Sequence, residues 1–344
     1  MPAVEAARES RALSIRLQPD GRRFDCVPGQ SVLAAGLAAG IDMPYECASG
    51  SCGSCRARLV EGSVTARWVD APGLSERDRR RGDRVLCCQS VPRTHCVVQL
   101  QVGASPPLVP PRSLRATVVG LERLNPEVVH LVVDAAQGIA FLPGQFMLFD
   151  LGRGFGRRAY SMANLPSEHG RLEFIVKRKP GGLACEVIFE HLRPGDRFDL
   201  EGPYGRAWLR EDSLRDIVLL AGGSGLAPIW SIVQRALQLW PERRLRMYFG
   251  VNRSVDLFWL KEIASARRRH PHFEVHLVLL HVSPDDLADC RQGAVGDVMD
   301  GDIDDLASSD LYMAGPPGLI DHVLRRLVGT GRAQADRVFF DRFC

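Results

Sequence analysis

Cys47-Ala48-Ser49-Gly50-Ser51-Cys52-Gly53-Ser54-Cys55 reads C-x4-C-x2-C, and Cys88 follows after a further thirty-two residues. Four thiolates at this spacing suit a [2Fe–2S] cluster, because two irons need four sulfurs converging from a tightly wrapped loop. Gly50 and Gly53 let the backbone bend closely enough for its N–H groups to face the sulfurs. Zinc is the rival reading, but zinc sites usually pair two Cys-x2-Cys knuckles and only one is present. A disulfide framework suits small secreted domains better than a chain of 344 residues.

The fourth ligand requires a choice between the adjacent Cys87 and Cys88. Neighbours on a strand point to opposite faces, so only one of them readily faces an iron. Val85-Leu-Cys-Cys-Gln-Ser90 resembles the Leu-Ala-Cys-Gln stretch that closes the cluster in plant-type ferredoxin domains. That match implies Cys88 as the ligand, with Cys87 in the alanine position.

The length allows two or three domains. Hydrophobic content of 45% and charged content of 25% are those of an ordinary globular protein. Lys plus Arg number 44 against 41 Asp plus Glu, and residues 1–104 alone carry 14 Arg against 11 acids. The rest therefore balances at 30 and 30, so the whole excess of +3 lies on the cluster-bearing part. Nothing here points to nucleic-acid binding. Residues 1–11 are charged and lack the apolar core of a secretory leader. The uncharged run 217–233 contains Gly222, Gly223, Gly225 and Pro228 and is too short to span a bilayer, so no membrane insertion is expected. The ten cysteines then point to a reducing cytoplasm.

Around the cysteine loop, residues 12–17 alternate as a strand, Asp20-Gly21 signals a turn, and residues 23–27 return. Ser31 opens a short helix over 32–37. Hairpin, helix and cluster loop in that order predict a β-grasp domain over 1–103. The Pro-rich stretch 104–113 reads as an extended linker. Residues 114–211 carry short strand patterns at 116–119, 128–133, 145–149, 172–176 and 197–200 and one helix near 186–192, which predicts an antiparallel β-barrel. From 212 to 344 strands and helices alternate, as in a doubly wound α/β domain. The fold class is thus multidomain α+β.

Two further groups of residues carry chemistry. Arg158-Ala-Tyr160-Ser161 lies on a strand-like segment, where an arginine suits a phosphate, a tyrosine a flat ring and a serine a ring nitrogen. Lys177 and Pro180-Gly181-Gly182 precede a helix whose first N–H groups suit a pyrophosphate. Ala221-Gly222-Gly223-Ser224-Gly225-Leu226-Ala227-Pro228 follows a buried strand and starts a helix, so its glycines let backbone approach a dinucleotide. Ala314-Gly315-Pro316-Pro317 forms a second loop at a strand end.

In this order the motifs resemble the three-part reductases of bacterial oxygenases, most of all those of soluble diiron monooxygenases of the methane and toluene kind. The matching stretches include residues 141–147, 163–166, 170–175, 248–252, 315–318 and 338–343, and residues 68–74 are similar to the toluene branch. The resemblance implies FAD in the barrel and NADH in the α/β domain. Arg158 would hold FAD phosphate, Tyr160 and Ser161 would contact the isoalloxazine, and Gly181, Gly182 and Cys185 would approach the pyrophosphate. Gly222, Gly223, Ser224 and Gly225, with Gly315, Pro316 and Pro317, would hold the nicotinamide dinucleotide. Phe343 would cover the flavin face that nicotinamide enters. Two residues depart from the pattern. Cys185 stands where relatives carry Ser or Thr, and Ala314 where they carry Cys beside the reacting carbon. Slower or looser hydride transfer is the expected result.

The implied reaction is hydride transfer from NADH to FAD, then single electrons through Cys47, Cys52, Cys55 and Cys88 to an oxygenase hydroxylase component. A Rieske dioxygenase or membrane-bound hydroxylase is the alternative partner. A zinc and nucleotide-sensing module is the alternative of another class. Residues 77–84 (Arg-Asp-Arg-Arg-Arg-Gly-Asp-Arg) read as a solvated loop, or as a steering patch for an acidic partner. Arg253 raises the option of NADPH. His270, His272 and His276 straddle a loop and a strand and read as surface residues. Cys26, Cys96 and Cys290 read as buried or half-buried, Cys344 as exposed. A monomer is expected.

Overall fold

The computed structural model describes residues 12–135, 137–152, 156–284, 286 and 289–343. Residues 1–11 and Cys344 lie outside the described residues.

The first domain is built on a five-stranded sheet. β1 (Leu13–Gln18) and β2 (Arg23–Cys26) form the expected hairpin. Its turn uses Gly21 at φ +78°, a conformation that favours glycine. α1 (Val32–Ala38) is capped by Ser31, whose hydroxyl accepts from Ala34 N at 3.2 Å. β3 (Arg56–Glu61), β4 (Val64–Ala66), α2 (Glu76–Arg81), β5 (Arg84–Leu86), β6 (Ser90–Pro92) and β7 (Cys96–Gln99) complete it. The strand order is β2-β1-β7-β3-β5, with β7 parallel to β1, which is the β-grasp arrangement. α2 corrects the reading of residues 77–84 as a loop. Ser75 accepts from Asp78 N, Gly82 closes the helix at φ +73°, and Glu76 and Asp78 stand in the first turn with Arg79, Arg80 and Arg81 in the last, in the sense the helix dipole favours.

β8 (Arg112–Asn125), β9 (Val128–Ala135), β10 (Phe146–Asp150), β11 (Arg158–Ser161), β12 (Arg171–Lys177) and β13 (Arg197–Tyr204) form one sheet, ordered β11-β10-β13-β8-β9-β12. Met162, just past edge strand β11, bridges antiparallel to Phe174 of the opposite edge strand β12, which ties the two edges together. Its helix begins earlier than the sequence reading placed it. α3 spans Leu183–Glu186 and runs into a π turn over Val187–His191.

The last sheet is β14 (Asp216–Gly222), β15 (Leu245–Val251), β16 (Phe273–Leu279), β17 (Cys290–Gln292), β18 (Ser309–Gly315) and β19 (Val338–Arg342). All are parallel, in the order β17-β16-β15-β14-β18-β19. Alternate residues of β14 feed two apolar layers. Ile217, Leu219 and Ala221 pack with α4 (Leu226–Leu239) and α5 (Leu260–Arg269), while Val218 and Leu220 pack with α6 (Val295–Asp302) and α7 (Pro317–Leu327). A strand buried on both faces reads as a continuous apolar run for this reason.

The chain falls into two compact units. One takes the described part of Met1–Leu114 with Leu148–Ala159 and Asp199–Tyr204, and the other takes Arg115–Met147, Tyr160–Phe198 and the described part of Gly205–Cys344. The first cluster-bearing unit thus includes parts of β10, β11 and β13 as well as the β-grasp domain. Residues 106–111 of the linker have no regular structure, but its start is pinned: Gly103 N donates to Asp42 O at 2.8 Å and Ser105 N to Asp42 Oδ2 at 2.9 Å.

Candidate functional site

The four cysteines of the loop fall into two pairs. Cys55 Sγ lies 3.2 Å from Cys88 Sγ, and Cys47 Sγ accepts from Cys52 N at 3.3 Å. Among the described residues no three His, Cys, Asp or Glu side chains gather around a point suited to a single ion. Two pairs suit two irons, each taking two thiolates, which fits a [2Fe–2S] cluster better than one tetrahedral zinc. A hydrogen bond between the Cys47 and Cys52 side chains pulls the Cys52 thiol down to about 4 and, with burial, pushes that of Cys47 up. Cys47, Cys55 and Cys88 are buried and Cys52 is half-buried, so the loop presents Cys52 outward.

The two glycines act differently from one another. A Cβ on Gly53, at φ +81°, would sit 2.8 Å from Gly73 O, so the loop packs directly on the backbone of residues 71–74. Gly73 N also donates to Gly50 O at 2.9 Å. That second loop is held by α2, where Arg79 Nη2 donates to Ala71 O at 2.8 Å. Cys87 is fully buried, its N–H bonded to Cys55 O and its carbonyl to Leu33 N.

Arg158, Tyr160 and Ser161 share β11. Ser161 is buried and its hydroxyl donates toward Asp341 Oδ2 at 3.4 Å. Lys177 ends β12. Gly181 (φ +69°) makes the turn that follows, and Gly182 is the N-cap of α3. Cys185 turns inward. Its thiol donates to Lys177 O at 3.5 Å and accepts from Lys179 N at 3.4 Å. Its side chain therefore fastens α3 to the strand end, and what it offers a phosphate is its first-turn N–H.

The strand order reverses between β14 and β18, the switch point at which α/β sheets bind ligands beyond the carboxyl ends of their strands. The two glycine loops meet there. A Cβ on Gly315 would lie 3.2 Å from Gly222 Cα, and one on Gly225 would lie 2.0 Å from Ala314 O. A cavity of about 540 Å³ opens at this point. Gly222, Gly223, Ser224, Pro316, Lys177 and Phe343 line it, while Gly225, Ala314, Gly315 and Pro317 do not. Gly225 and Gly315 serve by letting the loops approach, and Ala314 is buried in the apolar layer beneath. Sequence reasoning missed Asn252, Asp256 and His322, which also line the cavity. Asp256 carries a legible signal, an acid three residues after Arg253 that accepts from Arg253 N at 3.1 Å. Arg253 itself is not in the lining. His276 stacks on Tyr248 at 4.6 Å and His272 pairs with Glu242, so the histidines have separate roles. Gly225→Ala should sharply weaken NADH binding by forcing the loops apart, and cost about 1–3 kcal/mol of stability by overpacking. A titration with NADH at fixed protein checks this, and unchanged affinity would count against the packing argument.

Residues 15–93 match the 2Fe-2S iron-sulfur cluster binding domain, 117–208 the oxidoreductase FAD-binding domain and 219–325 the oxidoreductase NAD-binding domain. These three domains in series define an iron–sulfur flavoprotein oxidoreductase. The chain is 48% identical over 325 residues to the ferredoxin–NAD(+) reductase component of the alkene monooxygenase system of Xanthobacter autotrophicus (strain ATCC BAA-1158 / Py2), covering 94% of this chain and 98% of that one. It is 30% identical to the reductase component of phenol 2-monooxygenase from Pseudomonas sp. (strain CF600), over 96% of this chain and 94% of the relative. Among solved structures, the ferredoxin reductase in carbazole 1,9a-dioxygenase superposes with a TM-score of 0.87 at 30% identity, covering 97% of this chain and 99% of the other. The chain belongs to the family of electron-transferring reductase components of multicomponent oxygenases, with domains for a [2Fe–2S] cluster, FAD and NAD. No helix among the described residues is long and apolar enough to cross a membrane.

Proposed function

We propose that this chain oxidises NADH and delivers the electrons one at a time to the hydroxylase of a monooxygenase system. When bound, NADH supplies a hydride, FAD takes the pair, and the cluster passes single electrons onward. The observation that carries the reading is the make-up of the 540 Å³ cavity. Its walls come from the switch point of the parallel sheet and from Glu127, Val128 and Lys177 at the ends of β9 and β12 in the antiparallel sheet. A nicotinamide held by the glycine loops is thereby directed toward the flavin-binding strands.

The residues divide the work as follows. Gly222, Gly223 and Ser224 present backbone to the dinucleotide, with Lys177 facing its phosphates. Gly225 and Gly315 allow the close loop crossing. Phe343, whose N–H is bonded to Gly315 O at 3.0 Å and which lines the cavity, must yield to the nicotinamide. Arg158 meets FAD phosphate, Tyr160 and Ser161 meet the ring, and the turn at Gly181 and Gly182 with the Cys185 N–H meets the pyrophosphate. Cys47, Cys52, Cys55 and Cys88 hold the cluster. None of the nine described cysteines is in a disulfide.

The test is an anaerobic NADH titration of protein assayed for iron, sulfide and flavin. Bleaching of both flavin and cluster supports the reading. Zinc without flavin, and no response to NADH, would overturn it.

For the partner, α2 of the cluster domain carries the exposed Arg77, Arg80 and Arg81, with Arg80 paired to Glu76 at 3.1 Å on the helix surface. Arg79 is committed to Ala71 O and Arg56 to Asp78. This face suits an acidic surface on the hydroxylase, approached by a monomeric reductase. Replacing Arg77, Arg80 and Arg81 by Gln should slow hydroxylase reduction roughly tenfold at low salt, converge with the parent at high salt, and leave dye reduction by NADH unchanged. Equal hydroxylase rates at low salt would remove the patch from the docking surface.

A further inference from the structure

Within the cluster-bearing unit, two consecutive residues after β4, Arg67 and Trp68, grip Arg157, just before β11, and Arg158, its first residue. Arg158 places its guanidinium carbon 4.5 Å from the centroid of the Trp68 ring. Gly156, at φ +75°, lies beneath both. A Cβ there would lie 3.4 Å from both Trp68 Cβ and Arg158 Nη1, in ordinary contact with each, so it is the positive φ that favours glycine at this position. One residue earlier on each side, Arg67 and Arg157 converge on a single buried carboxylate, Glu201. Arg157 Nη1 donates to Glu201 Oε2, and Arg67 Nη2 lies 3.6 Å from that oxygen. Arg67 also donates to Gly29 O at 2.6 Å, and Arg157 Nε to Asp150 Oδ2 at 3.1 Å.

We infer that Trp68 is a positioning residue for FAD: the cluster domain supplies the platform that aims the phosphate-binding Arg158. This rests on the reading of Arg158 as a phosphate ligand. An arginine on a strand has four rotatable bonds and loses much freedom when it binds, so a side chain held beforehand binds more tightly. Stacking suits this purpose because it uses the flat face of the guanidinium, while all its N–H groups lie in the plane and point past the ring edge. Arg158 Nη1 further donates to Arg157 O at 3.0 Å, which fixes rotation about the stack. The Glu201 pairs hold the residues just before Trp68 and Arg158, so neither can drift from the other. A FAD-binding residue is thus oriented from a domain that the FAD-binding domain model, residues 117–208, does not include.

The test measures FAD dissociation from purified holoprotein by equilibrium dialysis and flavin fluorescence, with iron and sulfide assayed in the same samples. Trp68→Leu keeps apolar bulk and removes the ring, and Trp68→Phe keeps a ring. Trp68→Leu is expected to weaken FAD about tenfold and Trp68→Phe about twofold, both with full iron content. Arg158→Ala is the control for the underlying reading and should weaken FAD more than either. If Arg158→Ala loses FAD while Trp68→Leu retains parental affinity, the positioning role is wrong. If Arg158→Ala itself binds FAD like the parent, the phosphate role of Arg158 fails, and the inference fails with it. Should Trp68→Leu shed iron as well as flavin, Trp68→Phe decides: flavin loss in Trp68→Phe equal to that in Trp68→Leu would show that bulk and not the ring matters, and would overturn the proposal.

Discussion

Cys88→Ser is expected to abolish the iron–sulfur absorbance and bring iron and sulfide close to zero, while Cys87→Ser keeps both at about two per chain. Spacing leaves these neighbours nearly equivalent, and the geometry separates them. Cys88 Sγ lies 3.2 Å from Cys55 Sγ, where a shared iron would draw the pair. Cys87 is anchored by both its backbone groups, to Cys55 O and Leu33 N, with its side chain wholly buried. A serine oxygen is a harder ligand than a thiolate and holds iron in a sulfide cluster poorly. Flavin content should be unaffected in both variants, and NADH should still bleach it. Iron retained in Cys88→Ser but lost from Cys87→Ser would invert the ligand assignment.

The parts of this protein visible in its sequence are those written in short covalent spacing. The cysteine loop, the glycine loop after β14 and the Gly315-Pro316-Pro317 turn each hold their residues within one loop, so the pattern and the geometry coincide. The antiparallel and parallel sheets were legible because alternation and continuous apolar runs follow from burial on one face or two. What escaped did so for different reasons. α2 was hidden by its charge, although Ser75 and Gly82 mark both ends. α6 contains two glycines and three aspartates and has low intrinsic propensity. It forms because Val295 and Met299 are buried against the sheet, and Gly250 admits it, since a Cβ there would sit 2.6 Å from Val295 Cβ. The inward turn of Cys185 depends on backbone groups of the preceding strand end, which no pattern of side chains records. The grip of Arg67 and Trp68 on Arg157 and Arg158 joins residues about ninety apart, with Glu201 farther still, and only the folded chain brings them together.

Glu201→Gln is expected to lower unfolding stability by about 3–5 kcal/mol at neutral pH, because it removes the buried carboxylate that Arg157 and Arg67 share and leaves Arg157 only the more exposed Asp150. Glu201 is 4% exposed and accepts from Arg157 and from the Tyr204 hydroxyl at 2.7 Å, with Arg67 close by. Burial alone would push its carboxyl up, but Arg157 and Arg67, helped by the Tyr204 hydroxyl, outweigh it and hold the group below the usual carboxylate range. A carboxylate lowered in the folded state contributes stability that is complete above its unfolded value, about 4.3, and is lost as pH falls through the folded value. Parent and variant should therefore differ most near pH 7 and draw together in acid, with the parent showing the steeper decline. The amide in Glu201→Gln keeps an oxygen for one donor, so the protein should still fold and load its cluster. Urea unfolding from pH 7 down to pH 3 reads both the offset and its slope. A constant offset across that range would mean that lost packing, and not the buried charge, accounts for the effect. An offset under about 1 kcal/mol at pH 7 would mean that Arg157 and Arg67 find other partners, and that Glu201 does not hold the start of β11 to the cluster domain.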